Sequence, residues 1–311
     1  MKTPIIISWF DKSTVKHLRL PFSFYLMPVF LFALSQAGTV NCTNTILSLV
    51  ILHLFIFPSS NGYNSYQDRD ETSIGGLKHP PKVTENLYYA TLFLDITGVL
   101  FALLVSVQFS LFVLIFVLVS RAYSYRKIRI KKYPVIGFLT VFIFLGAFVY
   151  MMSYSAIADI SIKAFFTRNN LICMSVASFF IGGIYPLTQI YQHDADKKDG
   201  VISISYKLGY TGTFIFSALL FALATFILYY YFDLKHQQKA LVLFLLIMLP
   251  VVTKLLTWFY KVRQDKENAK VPEYCSSQSS ILNFMQVAYK NANASRMLKV
   301  LFNHSGITTR Y

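Results

Sequence analysis

Acidic residues are scarce in this chain of 311 residues. It has 14 Asp and Glu against 29 Lys and Arg, which gives a formal net charge of +15. Charged residues make up only 14% of the chain, whereas hydrophobic residues make up 55%, and the mean hydropathy is +0.50. Soluble domains do not carry this much apolar surface. The composition therefore excludes the ordinary soluble classes and indicates an integral membrane protein.

Cysteine is also rare. Cys42, Cys173 and Cys275 are far apart in the sequence and match neither the spacing of zinc ligands nor that of a redox pair. We therefore expect three inert thiols, and no site that depends on them.

Long apolar runs, by contrast, are abundant. A helix needs about 20 apolar residues to span a bilayer, and a helix satisfies its backbone groups internally in lipid. We identify eight such runs: Phe22–Ala37, Ile46–Ser60, Leu87–Val105, Phe109–Tyr123, Val135–Tyr154, Leu171–Ile190, Thr213–Phe232 and Ala240–Tyr260. The sequence therefore predicts an all-α, polytopic membrane helix bundle with eight clear spans, formed by a single domain over residues 1–311.

A ninth segment, residues 281–303, has two interpretations. Lys290, Arg296 and Lys299 make it a poor span, yet its apolar residues form one stripe at helical spacing. It is either a ninth helix packed against the bundle or an interfacial helix.

Lys and Arg lie mostly on one side of the predicted spans. With a cytoplasmic N-terminus, 20 of the 29 fall in inside loops and 4 in outside loops. Positively charged loops stay on the cytoplasmic side, where they also meet anionic lipid headgroups. The sequence thus predicts a cytoplasmic N-terminus, with the bacterial inner membrane as the expected location. Because the basic residues lie at the ends of spans, we expect no nucleic-acid partner.

Two polar stretches between the apolar runs hold six of the 14 acidic residues. They are residues 61–71, with Asp68, Asp70 and Glu71, and residues 189–200, with Asp194, Asp196 and Asp199. The predicted orientation places both stretches on the cytoplasmic face, beside a basic run at residues 121–132. Carboxylates near a membrane interface are costly unless they are paired or bound to a metal.

Within each stretch, side chains with oxygen atoms recur at helical spacing and so share one helix face. They are Asn64, Asp68 and Glu71 in the first stretch, and Gln192, Asp196 and Asp199 in the second. Oxygen ligands on two facing helix ends suit Mg²⁺, which keeps several waters and shares the oxygens of substrate phosphates. The alternative is that these are solvated loop charges balanced by neighbouring lysines. We favour the site, because the two stretches share one face with a basic run.

The same stretches match two motifs of a known family. In the first, N-D-x-x-D-x-x-x-D, the matching residues are Asn64 and Asp68. In the second, D-x-x-x-D, Asp196 matches, and Asp194 takes an often acidic position before it. The chain resembles the UbiA superfamily of intramembrane prenyltransferases.

Two further segments support the resemblance, which covers the helix pattern from residue 16 to about 260. Leu18-Arg19-Leu20-Pro21 resembles the Arg-Pro start of the family's first helix. Ile128-Arg129-Ile130-Lys131 resembles the family's basic loop, which helps to bind diphosphate. Arg126 and Lys127 stand in that loop where prolines are common.

The resemblance implies a fold and a reaction. Members of the family fold as nine helices around a cavity that opens sideways into the bilayer. They bind an isoprenyl diphosphate through Mg²⁺, the diphosphate leaves from an allylic, carbocation-like centre, and a lipophilic, often aromatic acceptor is alkylated. On this chain, the resemblance implies three sets of residues. They are the catalytic Asn64, Asp68 and Asp196, the metal ligands Asn64, Asp68, Asp194 and Asp196, and the substrate-binding Arg19, Arg126, Arg129, Lys131 and Gln192.

The chain departs from the family at three acidic positions. Ser65, Thr72 and Gln192 stand where the family usually has aspartates. The number of Mg²⁺ ions therefore stays open, as do the prenyl chain length and the acceptor. Asp95, about two turns into the third predicted span, either contacts the acceptor or makes a structural hydrogen bond to a neighbouring helix, through Thr97 or a tyrosine.

Two other function classes remain. A non-catalytic or transporter-like membrane protein is one, although transporters usually place polar residues at mid-membrane rather than at one face. The second is a Mg²⁺-dependent transferase that acts on lipid head groups, but the D-G-x-x-A-R helix of CDP-alcohol phosphotransferases is absent from the sequence.

Overall fold

The computed structural model describes residues 9–69, 74, 77 and 79–269. Eight long helices lie within this part of the chain, together with an isolated bridge between Ile74 and Leu77. They are α1 Lys12–Gln36, α2 Cys42–Asp68, α3 Glu85–Ala102, α4 Val107–Ser124, α5 Pro134–Ala158, α6 Arg168–Gln192, α7 Ile204–Leu234 and α8 Gln238–Gln264. Short helical segments are Ile130–Lys132, Ile162–Phe165, His193–Lys198 and Lys266–Ala269.

Each of the eight predicted apolar runs falls on one of these helices, which confirms the all-α membrane bundle. Seven of the helices are long and apolar enough to cross a bilayer. The exception is α3, in which Glu85, Asn86 and Asp95 lower the mean hydropathy. The count of eight spans stays a prediction, and residues 281–303 lie outside the described residues.

Polar side chains mark where several helices begin. In each case a side-chain oxygen accepts a hydrogen bond from a backbone N–H in the first turn, which satisfies a group that the helix itself leaves unpaired. The capping residues are Asn41 before α2, Ser106 before α4, Thr167 before α6 and Ser203 before α7. These caps fix the helix starts that hydrophobicity alone leaves vague.

The centre of the bundle is filled by large apolar side chains from five helices. Phe30, Ile51, Phe109, Tyr150 and Cys173 come from α1, α2, α4, α5 and α6, and all are almost fully buried. Many leucines and phenylalanines point outward instead, above all along α8, where they suit contact with lipid tails. The chain is therefore an integral, multi-pass membrane protein.

Close packing of α5 against α6 depends on small residues. A Cβ added at Gly146 would lie 2.4 Å from Cα of Ser178, and the Ser178 hydroxyl accepts a hydrogen bond of 3.0 Å from the Ala147 N–H. Association of helices in lipid relies on such van der Waals and hydrogen-bond contacts. Gly146 lies in a π-helical segment, Phe142–Phe148, that brings Phe144 and Leu145 to the cavity described below.

Candidate active site

A cavity of about 280 Å³ extends into the bundle from the end where the two polar stretches meet. Its lining changes character along each helix. On α2 it runs from Asp68 to Phe57, and on α6 from Gln192 to Ile181. Eleven residues of helix correspond to roughly 16 Å, so the lining passes from charged to apolar over that depth. The cavity thus has a charged mouth and an apolar interior.

The first polar stretch forms the last turns of α2. Asn64 and Asp68 share a face, as their spacing predicts, and the Asn64 amide donates a hydrogen bond of 3.0 Å to the Asp68 carboxylate. The Asn64 carbonyl oxygen accepts from the Ser124 hydroxyl at 2.9 Å. The helix ends at Asp68, because Arg69 adopts a left-handed conformation with φ 53°. Glu71, expected one turn further along, lies outside the described residues.

The basic loop between α4 and α5 closes over Asp68. The Lys131 ammonium donates to both Asp68 carboxylate oxygens and, at 3.1 Å, to the Asn64 side-chain oxygen. The Arg129 guanidinium donates to the Asp199 carboxylate and main-chain oxygen, the latter at 3.2 Å, and to Asp68 at 3.4 Å. Arg129 therefore ties the two polar stretches together.

Arg129 is buried, with its side chain 10% exposed. Burial lowers the pKa of its guanidinium, but the contacts with Asp199 and Asp68 outweigh burial, so the pKa lies above its ordinary value. The site therefore holds a permanent positive charge. The backbone of Arg129 is left-handed, with φ 46°, a conformation that costs free energy in a non-glycine residue.

The second polar stretch leaves α6 through a 3₁₀ turn and continues as the short helix His193–Lys198. His193 anchors it: the ring accepts or donates a hydrogen bond of 2.8 Å with Ser205 and stacks on Tyr210. Burial lowers the pKa of His193 to about 4, although Asp194 opposes the shift, so the ring is neutral at neutral pH.

A break near the start of α7 supports this anchor. Gly209 has φ 68° and ψ 177°, which side-chain-bearing residues rarely adopt, and it interrupts the helix. Beyond the break, the Thr213 hydroxyl donates 2.7 Å to the Gly209 oxygen and lies 3.0 Å from the Ser205 hydroxyl. Gly209 is therefore the bend that brings α7 against the second polar stretch.

Most of the predicted site residues line the cavity. They are Arg19, Asn64, Asp68, Arg129, Lys131, Gln192 and Asp196. Two predicted residues do not. Asp194 is exposed, and Arg126 is exposed outside the cavity, where its Nε donates 2.7 Å to the main-chain oxygen of Gln67.

Several lining residues were not singled out by the sequence. Asp199 is not among them, because its spacing places it on one face with Gln192 and Asp196, and it lines the cavity with them. The Tyr123 hydroxyl is hydrogen-bonded to that of Tyr185, which also accepts from the Gln189 amide at 2.8 Å. With 29 Phe and 21 Tyr in the chain, no pattern distinguishes these two tyrosines from lipid-facing ones.

Asp95 does not line the cavity. Its carboxylate pairs with Arg121 on α4, whose Nε donates at 2.8 Å, and the guanidinium lies 3.9 Å from the centre of the Tyr63 ring. Asp95 thus bonds to a neighbouring helix, as the structural interpretation expects, but its partner is Arg121 rather than Thr97 or a tyrosine. Arg121 is correspondingly a helix residue with a buried partner rather than a loop charge.

The donor atoms at the mouth of the cavity fit Mg²⁺ in a limited way. One space is lined by five residues that carry side-chain oxygens: Asn64, Asp68, Gln192, Asp196 and Asp199. Within the described part of the chain, however, no three His, Cys, Asp or Glu side chains are grouped so as to hold a metal ion. This arrangement suits an ion that completes its coordination with substrate oxygens and waters.

Comparison with known proteins points to one family. The UbiA prenyltransferase family matches residues 25–277. Similar solved structures include a UbiA homolog from Archaeoglobus fulgidus bound to DMAPP and Mg²⁺, with a TM-score of 0.65, 15% identity and coverage of 91% of this chain and 99% of the other. The same homolog bound to GPP and Mg²⁺ gives the same TM-score and identity, with coverage of 91% and 100%. A digeranylgeranylglyceryl phosphate synthase has a TM-score of 0.55 and 18% identity, with coverage of 89% and 96%. No curated protein matches the chain.

Proposed function

The chain belongs to the UbiA prenyltransferase family, and we propose that it transfers an isoprenyl group from a prenyl diphosphate to a lipophilic, aromatic acceptor. The observation that supports this most is the cavity, which joins a mouth built from both polar stretches to an apolar interior. A prenyl diphosphate has the same division, with a charged head and a hydrocarbon tail.

The mouth can hold the diphosphate. Three cationic residues line the cavity, Arg19, Arg129 and Lys131, and among the described residues three acidic ones balance them, Asp68, Asp196 and Asp199. A diphosphate adds several negative charges to this balanced set, so an added cation is expected with it. When bound, Mg²⁺ would supply that charge and make diphosphate a better leaving group. Asn64, Asp68 and Asp196 all carry side-chain oxygens at the mouth, and we propose Asp196 as the one that holds Mg²⁺.

The chain's own cations would act on the departing group. Arg129 and Lys131 are fixed by hydrogen bonds before substrate arrives, so they need little reorganisation as negative charge builds on the diphosphate. Arg19 lies at the same mouth, where its guanidinium donates 3.1 Å to the main-chain oxygen of Asn61. These residues bind and orient the diphosphate.

The interior suits the hydrocarbon tail and a reactive allylic centre. Phe22, Phe57, Phe116 and Phe144 line it. Such side chains exclude water, which would otherwise quench the allylic cation, and aromatic faces attract positive charge. The hydroxyls of Tyr123 and Tyr185 lie between the charged mouth and the apolar interior, where they can hydrogen-bond a polar group of the acceptor.

We also propose that the mouth faces the cytoplasm. The support is the distribution of Lys and Arg, of which 20 of 29 fall on the side of the N-terminus and the two polar stretches. The bacterial inner membrane remains the proposed location.

The test uses purified protein in lipid nanodiscs with labelled prenyl diphosphates of several lengths, Mg²⁺ and a lipid extract. We expect a labelled lipophilic product and release of diphosphate, both abolished by EDTA. Asp68→Asn and Asp196→Asn should each abolish transfer, whereas Asp233→Asn, an exposed residue at the far end of α7, should not. Full activity of the first two variants, or activity unaffected by EDTA, would refute the proposed site. No turnover of any prenyl diphosphate would leave the non-catalytic alternative.

A further inference from the structure

Lys131 occupies an unusually complete binding site of its own. An ammonium group has three donors. Those of Lys131 meet three acceptors, the two carboxylate oxygens of Asp68 and the side-chain oxygen of Asn64. The side chains of Lys131 and Asp68 are only 12% and 9% exposed. The ammonium therefore binds the same side-chain oxygens of Asn64 and Asp68 that their shared helix face offers to a metal ion.

We propose that the Lys131 ammonium is the resident cation of the first polar stretch, so that the chain binds a single Mg²⁺, from the side of Asp196. This inference rests on the proposed function. It gives the number of Mg²⁺ ions, which Ser65, Thr72 and Gln192 leave open because they replace the family's aspartates. In it, Lys131 does not serve only as a ligand of the diphosphate. It also fills the place that a second metal ion would take at Asn64 and Asp68.

The electrostatics of the first stretch support this assignment. Among the described residues of that stretch, Asp68 is the acidic side chain that lines the cavity. Ser65, at a position where an aspartate is expected, is 1% exposed and does not line the cavity. The carboxylate of Asp68 is already shared by Lys131 and by Arg129 at 3.4 Å. A divalent ion added there would meet two positive charges and one carboxylate, which is unfavourable.

The backbone holds Lys131 in position. It lies in the 3₁₀ turn Ile130–Lys132 directly after the left-handed Arg129. A Cβ added at Gly137 would lie 3.2 Å from Cα of Lys131, so the first turns of α5 pack closely on the loop. The neighbouring Lys132 is exposed and lies over the Tyr133 ring instead. Lys132 is therefore a matched control with the same charge in the same turn.

The test counts metal ions. Purified protein is titrated with Mn²⁺ in the presence and absence of inorganic pyrophosphate, and bound Mn²⁺ is measured by electron paramagnetic resonance and by calorimetry. We expect one Mn²⁺ per wild-type chain with pyrophosphate and one more in Lys131→Met, which keeps the length of the side chain but removes its charge. The added ion should disappear in Lys131→Met combined with Asp68→Asn. Lys132→Met should bind as many ions as the wild type.

Two results would overturn the inference. One is a wild-type chain that already binds two ions, a result that needs no variant. The other is a Lys131→Met chain that gains none, with Lys131→Gln as the second substitution if the first does not purify. Metal counting does not require turnover, so this test is separate from that of the proposed function. Prenyl transfer by the wild type without an added ion in Lys131→Met would refute the metal-replacing role of Lys131 alone. An added ion in Lys131→Met without any transfer by the wild type would refute the proposed reaction alone.

Discussion

Replacing Arg129 by alanine tests the centre of the proposed site. The Arg129 guanidinium donates to the carboxylate and the main-chain oxygen of Asp199, and it also donates to Asp68 at 3.4 Å. The variant keeps the loop but leaves two carboxylates facing each other across the mouth. Alanine faces the same left-handed backbone cost as arginine, so the comparison isolates the guanidinium.

The expected loss of stability is moderate. Breaking a buried ion pair usually costs about 3–5 kcal/mol, because one charge is left buried without a partner. Here Asp199 is 35% exposed and can be solvated again, and Asp68 keeps Lys131. We therefore expect about 2 kcal/mol, seen as a lower midpoint of thermal unfolding in detergent.

The expected loss of activity is larger. Removing one fixed donor from a developing negative charge typically lowers the rate roughly 10²–10³-fold, or about 3–4 kcal/mol. Part of the effect should appear in KM, because the ground-state diphosphate carries charge as well. The assay measures kcat and KM for a labelled prenyl diphosphate in Arg129→Ala, Arg129→Lys and Lys132→Ala. Arg129→Lys should recover only part of the activity, since lysine lacks the planar fork that reaches both stretches.

Lys132→Ala decides the interpretation. Lys132 is exposed on the same loop and contributes only to its overall charge. The Lys132→Ala variant should therefore retain nearly full prenyl-transfer activity. Equal losses in Arg129→Ala and Lys132→Ala would show that the loop acts through its total charge, and full activity in both would show that it does not touch the diphosphate.

Two further predictions concern stability rather than chemistry. Asp95→Asn should lower the free energy of unfolding by about 3 kcal/mol, because Arg121 is left buried without its partner. Asp95→Asn combined with Arg121→Met should recover most of that free energy and leave prenyl transfer per folded molecule unchanged. A loss of transfer without a loss of stability would instead show that Asp95 belongs to the site. The pKa of His193 is about 4 in the folded chain, so the unfolded chain binds a proton at higher pH than the folded one. The contribution of a neutral His193 to the free energy of unfolding is therefore fully present above about pH 6.5. It is lost between about pH 6.5 and 4, by up to about 3 kcal/mol. His193→Asn should flatten that part of the profile of unfolding midpoint against pH, and an unchanged slope would assign it to another group.

Much of the fold follows from the sequence because lipid restricts the options. Apolar runs of span length can only become helices, and all eight predicted runs are helical. The same argument places Asn64 and Asp68 on one face, because both precede the end of α2. Neither inference requires knowledge of tertiary contacts.

The site is less predictable where a chain reversal intervenes. Asp194 and Asp196 are two residues apart, but the turn that leads into His193–Lys198 exposes the former and turns the latter to the cavity. The pairing of Lys131 with Asp68, 63 residues away, depends on the loop conformation at Arg129. The sequence could place Lys131 and Asp68 on the same face of the membrane, but not in contact.

The position of the site at helix ends explains why strained arginines occur there. Arg19 interrupts α1 with φ 47°, and Arg129 precedes the turn into α5 with φ 46°. Both line the cavity mouth. A left-handed residue reverses the chain sharply, and glycine would do so at lower cost in free energy. Glycine, however, has no guanidinium. The chain uses an arginine at a point where the backbone favours glycine, and the contacts of that arginine with Asp199, Asp68 or the oxygen of Asn61 offset the strain. The reversal and the positive charge therefore occupy the same position, which suits the proposed diphosphate site at the end of the helix bundle.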